Sequence, residues 1–158
     1  MIRSSLKVID VQLAIRAALA AGLSVAAAQL LSLPYPIYAM ISAVLVTDLT
    51  AAETRKLALP RLAATVAGTL LGATINSVLP TNLWTVVFGI LGAMLLSDLL
   101  RLRNAAKVAG YICGVVLIDH GEQPWFYAFV RMVETLVGLG VAVLISLLPK
   151  LVPSDRSP

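Results

Sequence analysis

Six apolar stretches follow one another along this chain, joined by short connections. They fall at 11–33, from 37 to 46 and on to Thr50, then 60–79, 83–100, 105–118 and 125–148. A helix needs about 20 mainly apolar residues to cross a bilayer's hydrocarbon core. Pro34 and Pro36 close the first stretch, and Thr47, Asp48 and Thr50 end the second. Pro60 is expected in the first turn of the third, where its missing N–H does no harm. Pro80, Thr81 and Asn82 form a turn, and Pro149 with Lys150 closes the last. Six such spans occupy roughly 120 of the 158 residues. The sequence therefore predicts an all-α integral membrane protein, six transmembrane helices in a single membrane domain over 1–158.

Composition excludes the alternatives. Charged residues make up 13% and hydrophobic ones 59%, with a mean hydropathy of +0.94, whereas a soluble domain carries about a quarter charged residues. A water-facing surface cannot be built from this material, and so apolar a chain is not disordered. Cys113 is the lone cysteine, which rules out a disulfide scaffold. Arg3 and Lys7 precede the first stretch as they would a signal peptide. That stretch is too long for a signal core and holds Arg16, so it is read as a retained span.

The net charge of +4 raises nucleic acid as a partner, but the placement of the charges assigns it to topology. Arg3, Lys7, Arg55, Lys56, Arg101, Arg103, Lys107, Lys150 and Arg156 all fall on one side of the predicted bundle. The connections at 33–36, 80–82 and 120–124 hold no Lys or Arg. Basic residues are retained on the cytoplasmic side, so both termini are expected there. Tyr35, Tyr38, Trp84, Trp125 and Tyr127 are expected at the opposite interface, where amphipathic rings settle. No nucleic-acid role has support. The lipid bilayer is the expected surroundings, and a bacterial inner membrane the expected location.

An internal repeat runs through the chain. RLAATVAGTLLGATI (61–75) aligns with RMVETLVGLGVAVLI (131–145), sharing R-x-x-x-T-x-x-G and a terminal Ile. AVLVTD (43–48) aligns with GVVLID (114–119), and the offsets are 70 and 71 residues. Two halves, about 10–79 and 83–149, each hold three spans, so the second enters the membrane from the other side. Such inverted repeats are common in transporters, with the pathway at the repeat interface. Arg61 is thereby expected at the cytoplasmic end of its span and Arg131 inside the outer end, one basic gate on each side.

An Arg or Asp at the centre of a membrane helix costs roughly 2.5–3.5 kcal/mol on insertion scales, so each needs a reason. Arg16 either snorkels to the interface or serves a pathway or ion pair. Arg61 allows the same choice, and its repeat match favours function. Arg131 and Glu134 are three apart, on one helix face and able to pair. Topology gives Arg131 no reason, and Glu134 is either its partner or a protonatable carboxylate. Asp48 and Asp119 end apolar runs as interfacial residues, helix-end caps or polar gates, and the matched Thr65 and Thr135 are further polar-gate or structural candidates. Asp98 and Arg101 fit an ordinary surface pair. His120, the sole histidine, falls in an external loop, which argues against metal binding and acid–base catalysis. No nucleophile–base spacing, P-loop or Cys/His cluster is present, so neither an enzyme nor a cofactor is expected.

Three stretches carry a family resemblance: RAALAAG from Arg16, LPYPIYAMISAVLVT (33–47) and RLAATVAGTLLG from Arg61. Together they resemble the membrane domain of the fusaric acid resistance and aromatic acid exporter superfamily, of which plant aluminium-activated malate transporters are distant members. RMVETLVG (131–138) is similar to its later arginine-bearing helix. The resemblance implies movement of small organic anions, with basic residues of these helices contacting them. Many members carry a further cytoplasmic domain or a doubled membrane domain. A single six-helix unit is thin for a pathway, which implies a homo-oligomer, dimer or trimer.

Two functions fit these residues. One is an efflux transporter or channel for aromatic or dicarboxylic acids, with Arg61, Arg131 and Arg16 attracting the carboxylate and Glu134 beside them. The other is a non-transporting membrane scaffold or partner subunit, whose buried charges are structural ion pairs.

Overall fold

Helices account for every regular element in the computed structural model, which describes residues 2–101, 105–119 and 123–148. In chain order they are α1 (Ile2–Leu30), α2 (Pro36–Val46), α3 (Ala51–Val78), α4 (Leu83–Leu99), α5 (Ala106–Asp119) and α6 (Pro124–Ser146). Arg103, His120, Lys150 and Arg156, used above for orientation and against a metal site, lie outside the described residues.

Local chemistry sets the boundaries. α1 ends in a Schellman motif: Ser32 adopts φ 53°, and Leu33 N–H donates to the Ala28 carbonyl at 2.9 Å. Pro36 opens α2 from its first turn. Asn82 caps α4 by accepting the Thr85 N–H at 2.9 Å. α3 begins nine residues before the expected start at 60, because Thr50 accepts the Glu53 N–H at 3.2 Å in the T-x-x-E pattern of a capping box. Glu53, Arg55 and Lys56, read from sequence as a connection, are exposed residues of its first two turns, with Lys56 paired to Glu53 at 2.7 Å. Pro60 therefore lies inside the helix and not in its first turn.

Length divides the helices. Val11–Leu30 of α1, α3 and α6 are long and apolar enough to cross a membrane. α2, α5 and α4 have 11, 14 and 17 residues, about 16, 21 and 26 Å at 1.5 Å per residue, against a core of about 30 Å. Each half thus has a short middle helix, not three equal spans.

The chain forms two compact units, residues 1–58 with 137–158, and residues 59–136. In the first, α1 packs on α2. Gly138 of α6 also lies against α2, where an added Cβ would collide with the Ala39 carbonyl oxygen and sit 3.0 Å from the Ser42 Cβ. In the second, α5 lies between two neighbours. A Cβ at Gly68 of α3 would fall 2.5 Å from the Ala109 oxygen and 3.1 Å from the Ile112 Cβ. On another face of α5, Gly110 receives Met94 and Gly114 receives Ile90, both from α4. The core there is made of small side chains, including Ala64, Ala93, Ala109 and Cys113. Small residues at these contacts let helix backbones approach closely, as association in lipid requires.

One regularity links the two sets of contacts. Gly138 stands 70 residues after Gly68, and their partners Ala109 and Ile112 stand 70 after Ala39 and Ser42. In each unit the glycine of an R-x-x-x-T-x-x-G segment meets equivalent positions on the short helix of the other half.

Candidate functional site

The second unit buries two arginines. Arg61 on α3 is 4% exposed and Arg131 on α6 is 1% exposed. Both converge on Tyr111 of α5. Arg61 Nη2 donates to the Tyr111 hydroxyl oxygen at 2.6 Å, and Arg131 Nη2 reaches the same oxygen at 3.4 Å. Their guanidinium carbons lie 5.5 and 5.9 Å from the Tyr111 ring centroid, within cation–π range.

This convergence corrects the expected placement of one arginine at each end of a path. Two groups sharing one phenol oxygen are not at opposite membrane faces. The helix boundaries explain the difference. Because α3 starts at Ala51, Arg61 lies about 15 Å into its helix, and Arg131 lies about 10 Å into α6 from Pro124.

Glu134 is fully buried one turn beyond Arg131, and Thr135 is 1% exposed beside it. Arg61, Arg131 and Glu134 are the buried charged side chains among the described residues of this unit. Arginine does not deprotonate in proteins, so whatever the state of Glu134 this interior carries at least one positive charge in excess. Thr65 donates its hydroxyl to the Arg61 carbonyl at 3.0 Å, and Thr69 donates to the Thr65 carbonyl at 2.7 Å. Those hydroxyls are held by their own helix. Thr135 differs, since its buried hydroxyl has no hydrogen-bond partner among the described residues. It shares a helix face with Arg131 at a spacing of four.

Arg16 belongs to the first unit. It is 3% exposed, so it does not snorkel to water. Its Nη1 donates to the Leu49 carbonyl at 2.6 Å and its Nη2 to the Leu148 carbonyl at 2.8 Å. α1 is thereby tied to the segment after α2 and to the end of α6. Each charged hydrogen bond contributes about 1.5–3 kcal/mol. Arg16→Gln is therefore expected to lower the thermal midpoint of the purified protein by about 5 °C or more, and Arg16→Lys to recover part of the loss. An unchanged midpoint in a detergent thermal melt contradicts this tie.

Asp48 organises the turn after α2, with its Oδ1 accepting the Leu49 N–H at 2.6 Å and its own N–H bonded to Thr54 Oγ1 at 3.0 Å. Asp119 is the exposed last residue of α5. Tyr127, expected at the interface, is 2% exposed, whereas Trp84 and Trp125 are more than half exposed. Among the described residues no group of His, Cys, Asp and Glu is arranged to hold a metal ion.

Tyr111 escaped the sequence reading, because a tyrosine in an apolar helix carries no insertion penalty to flag it. The repeat held a signal: an offset of 70 places Ile41 opposite Tyr111, so one half replaces an aliphatic residue with a phenol.

An all-helical chain with helices of membrane-spanning length and buried arginines inside it defines an integral membrane protein of transporter type. The sequence profile of the fusaric acid resistance protein-like family matches residues 23–145, and the chain belongs to that family. No curated protein and no solved structure matches it.

Proposed function

We propose that the protein exports small organic anions, aromatic or dicarboxylic acids, and that Arg61 and Arg131 bind the carboxylate. The convergence of both guanidinium groups on one oxygen carries this reading. A phenol is a neutral acceptor for two cationic donors, and a carboxylate offers the same position two charged oxygens. Such charge-assisted bonds are roughly twice as strong as neutral ones. The excess buried charge favours an anion, and the Thr135 hydroxyl is a further donor for it. Arg16 stands outside this pair as a structural tie.

The helices form two three-helix halves of opposite orientation, a reading supported by the reciprocal glycine contacts at an offset of 70 and the short middle helix in each half. Both termini are assigned to the cytoplasmic side of a bacterial inner membrane, and the working form to a homodimer or homotrimer.

Ligand that binds only the folded state raises its stability. Benzoate at millimolar concentration is expected to raise the thermal midpoint of the wild-type protein in detergent, and to leave Arg61→Gln/Arg131→Gln unmoved. An equal shift in both proteins, or none in the wild type, removes the arginine pair as the binding site. The scaffold alternative predicts no shift with any anion.

A further inference from the structure

We infer that Tyr111 is the lid of the arginine site, holding the position that an anion's oxygen takes and moving aside when the anion arrives. This rests on the arginine pair being the anion site. Three observations point to it.

The first is access. Arg61 and Arg131 are 4% and 1% exposed, whereas Tyr111 is 37% exposed. Of the three side chains in contact, only the tyrosine meets the surface, so an anion approaching there meets Tyr111 before either guanidinium. The second is chemistry. The phenol oxygen accepts from both arginines, at 2.6 and 3.4 Å, and its ring lies within 6 Å of both guanidinium carbons. Tyr111 thus satisfies both cations while the site is empty, and an incoming carboxylate competes for the same donors. The competition is uneven in the anion's favour, because an ionised acceptor bonds a guanidinium more strongly than a neutral one and in a bidentate fork.

The third is attachment. The neighbours of Tyr111 along α5 are anchored: Gly110 is filled by Met94 and Ile90, and Ile112 is fully buried against Gly68. The backbone of α5 is therefore held on both sides, and motion is left to the exposed side chain. Rotamer changes of exposed side chains take picoseconds to nanoseconds once their bonds release. The lid selects for ligands able to replace what it supplies. Flat carboxylates that present two oxygens in one plane qualify, and a point anion such as chloride does so less well. An aromatic acid also returns a π-face to the guanidinium groups that the departing ring leaves.

Tyr111→Phe removes the oxygen and keeps the ring. Benzoate binding to the full-length protein in detergent, followed by calorimetry for affinity and by stopped-flow tryptophan fluorescence for rate, tests the lid. The variant is expected to bind about three- to tenfold more tightly, in line with removal of one competing hydrogen bond, and to associate faster. Tyr111→Leu supplies the same test if the phenylalanine variant does not fold, and is expected to change in the same direction. Weaker binding in both variants makes the phenol a ligand of the anion and overturns the lid; so does unchanged affinity. The two layers separate through the arginines. If Arg131→Gln abolishes binding while Tyr111→Phe leaves it unchanged, the site stands and the lid falls. Binding that persists in Arg61→Gln/Arg131→Gln removes the site, and the lid with it.

Discussion

Gly138→Ala is expected to cost most of the folded protein. The added methyl has no room, because the Ala39 carbonyl oxygen of α2 occupies the position that its Cβ would take. The obstacle is backbone, so no rotamer change removes the clash, and two helices must part. Overpacking of this kind costs about 1–3 kcal/mol and occasionally more. Separation also weakens the close approach that holds helices together in lipid. Gly68→Ala is expected to fail for the same reason, with the Ala109 oxygen 2.5 Å from the new Cβ. Gly22→Ala and Gly140→Ala are the controls: nothing lies within 4 Å of either new methyl, and alanine is the better helix former by about 1 kcal/mol. Yield of monodisperse protein and the thermal midpoint check all four. Midpoints for Gly138→Ala and Gly68→Ala equal to those of the controls contradict the packing described.

The second large effect is on transport. Arg131→Gln and Arg61→Gln are each expected to reduce benzoate flux about ten- to a hundredfold, the equivalent of losing one charged hydrogen bond. Arg131 is expected to be the more sensitive, because it is nearly inaccessible at 1% exposure and shares its helix face with Thr135. Stability is expected to move the other way from flux or not at all. Removing one of two like charges that converge on one oxygen relieves repulsion in a low-dielectric interior. A variant that folds normally and loses transport thereby separates a binding role from a structural one.

Much of the fold was legible in the sequence, because an apolar run closed by proline or polar residues is a direct consequence of bilayer thickness. The ends were less so. Glu53, Arg55 and Lys56 look like a loop by polarity, yet they are the outer turns of a helix that starts at a Thr50–Glu53 box. Misplacing that start by nine residues put Arg61 at a membrane face, when it lies about a third of the way along α3. Arg61, Arg131 and Glu134 were legible as residues whose burial needs a reason. Their meeting point was not, since the tyrosine that joins two of them belongs to a third helix. Arg16 shows the opposite limit: its partners are carbonyls of Leu49 and Leu148, and backbone acceptors leave no mark in a sequence. The repeated glycine was visible, and its partner 70 residues out of register became visible only in the packing.

Uptake of labelled benzoate by proteoliposomes tests the central claim most directly, comparing wild type with Arg61→Gln/Arg131→Gln at equal reconstituted amounts. The account predicts uptake well above protein-free vesicles for the wild type and uptake near that background for the double variant. Wild-type uptake equal to that of empty vesicles, or full uptake by the double variant, would contradict it.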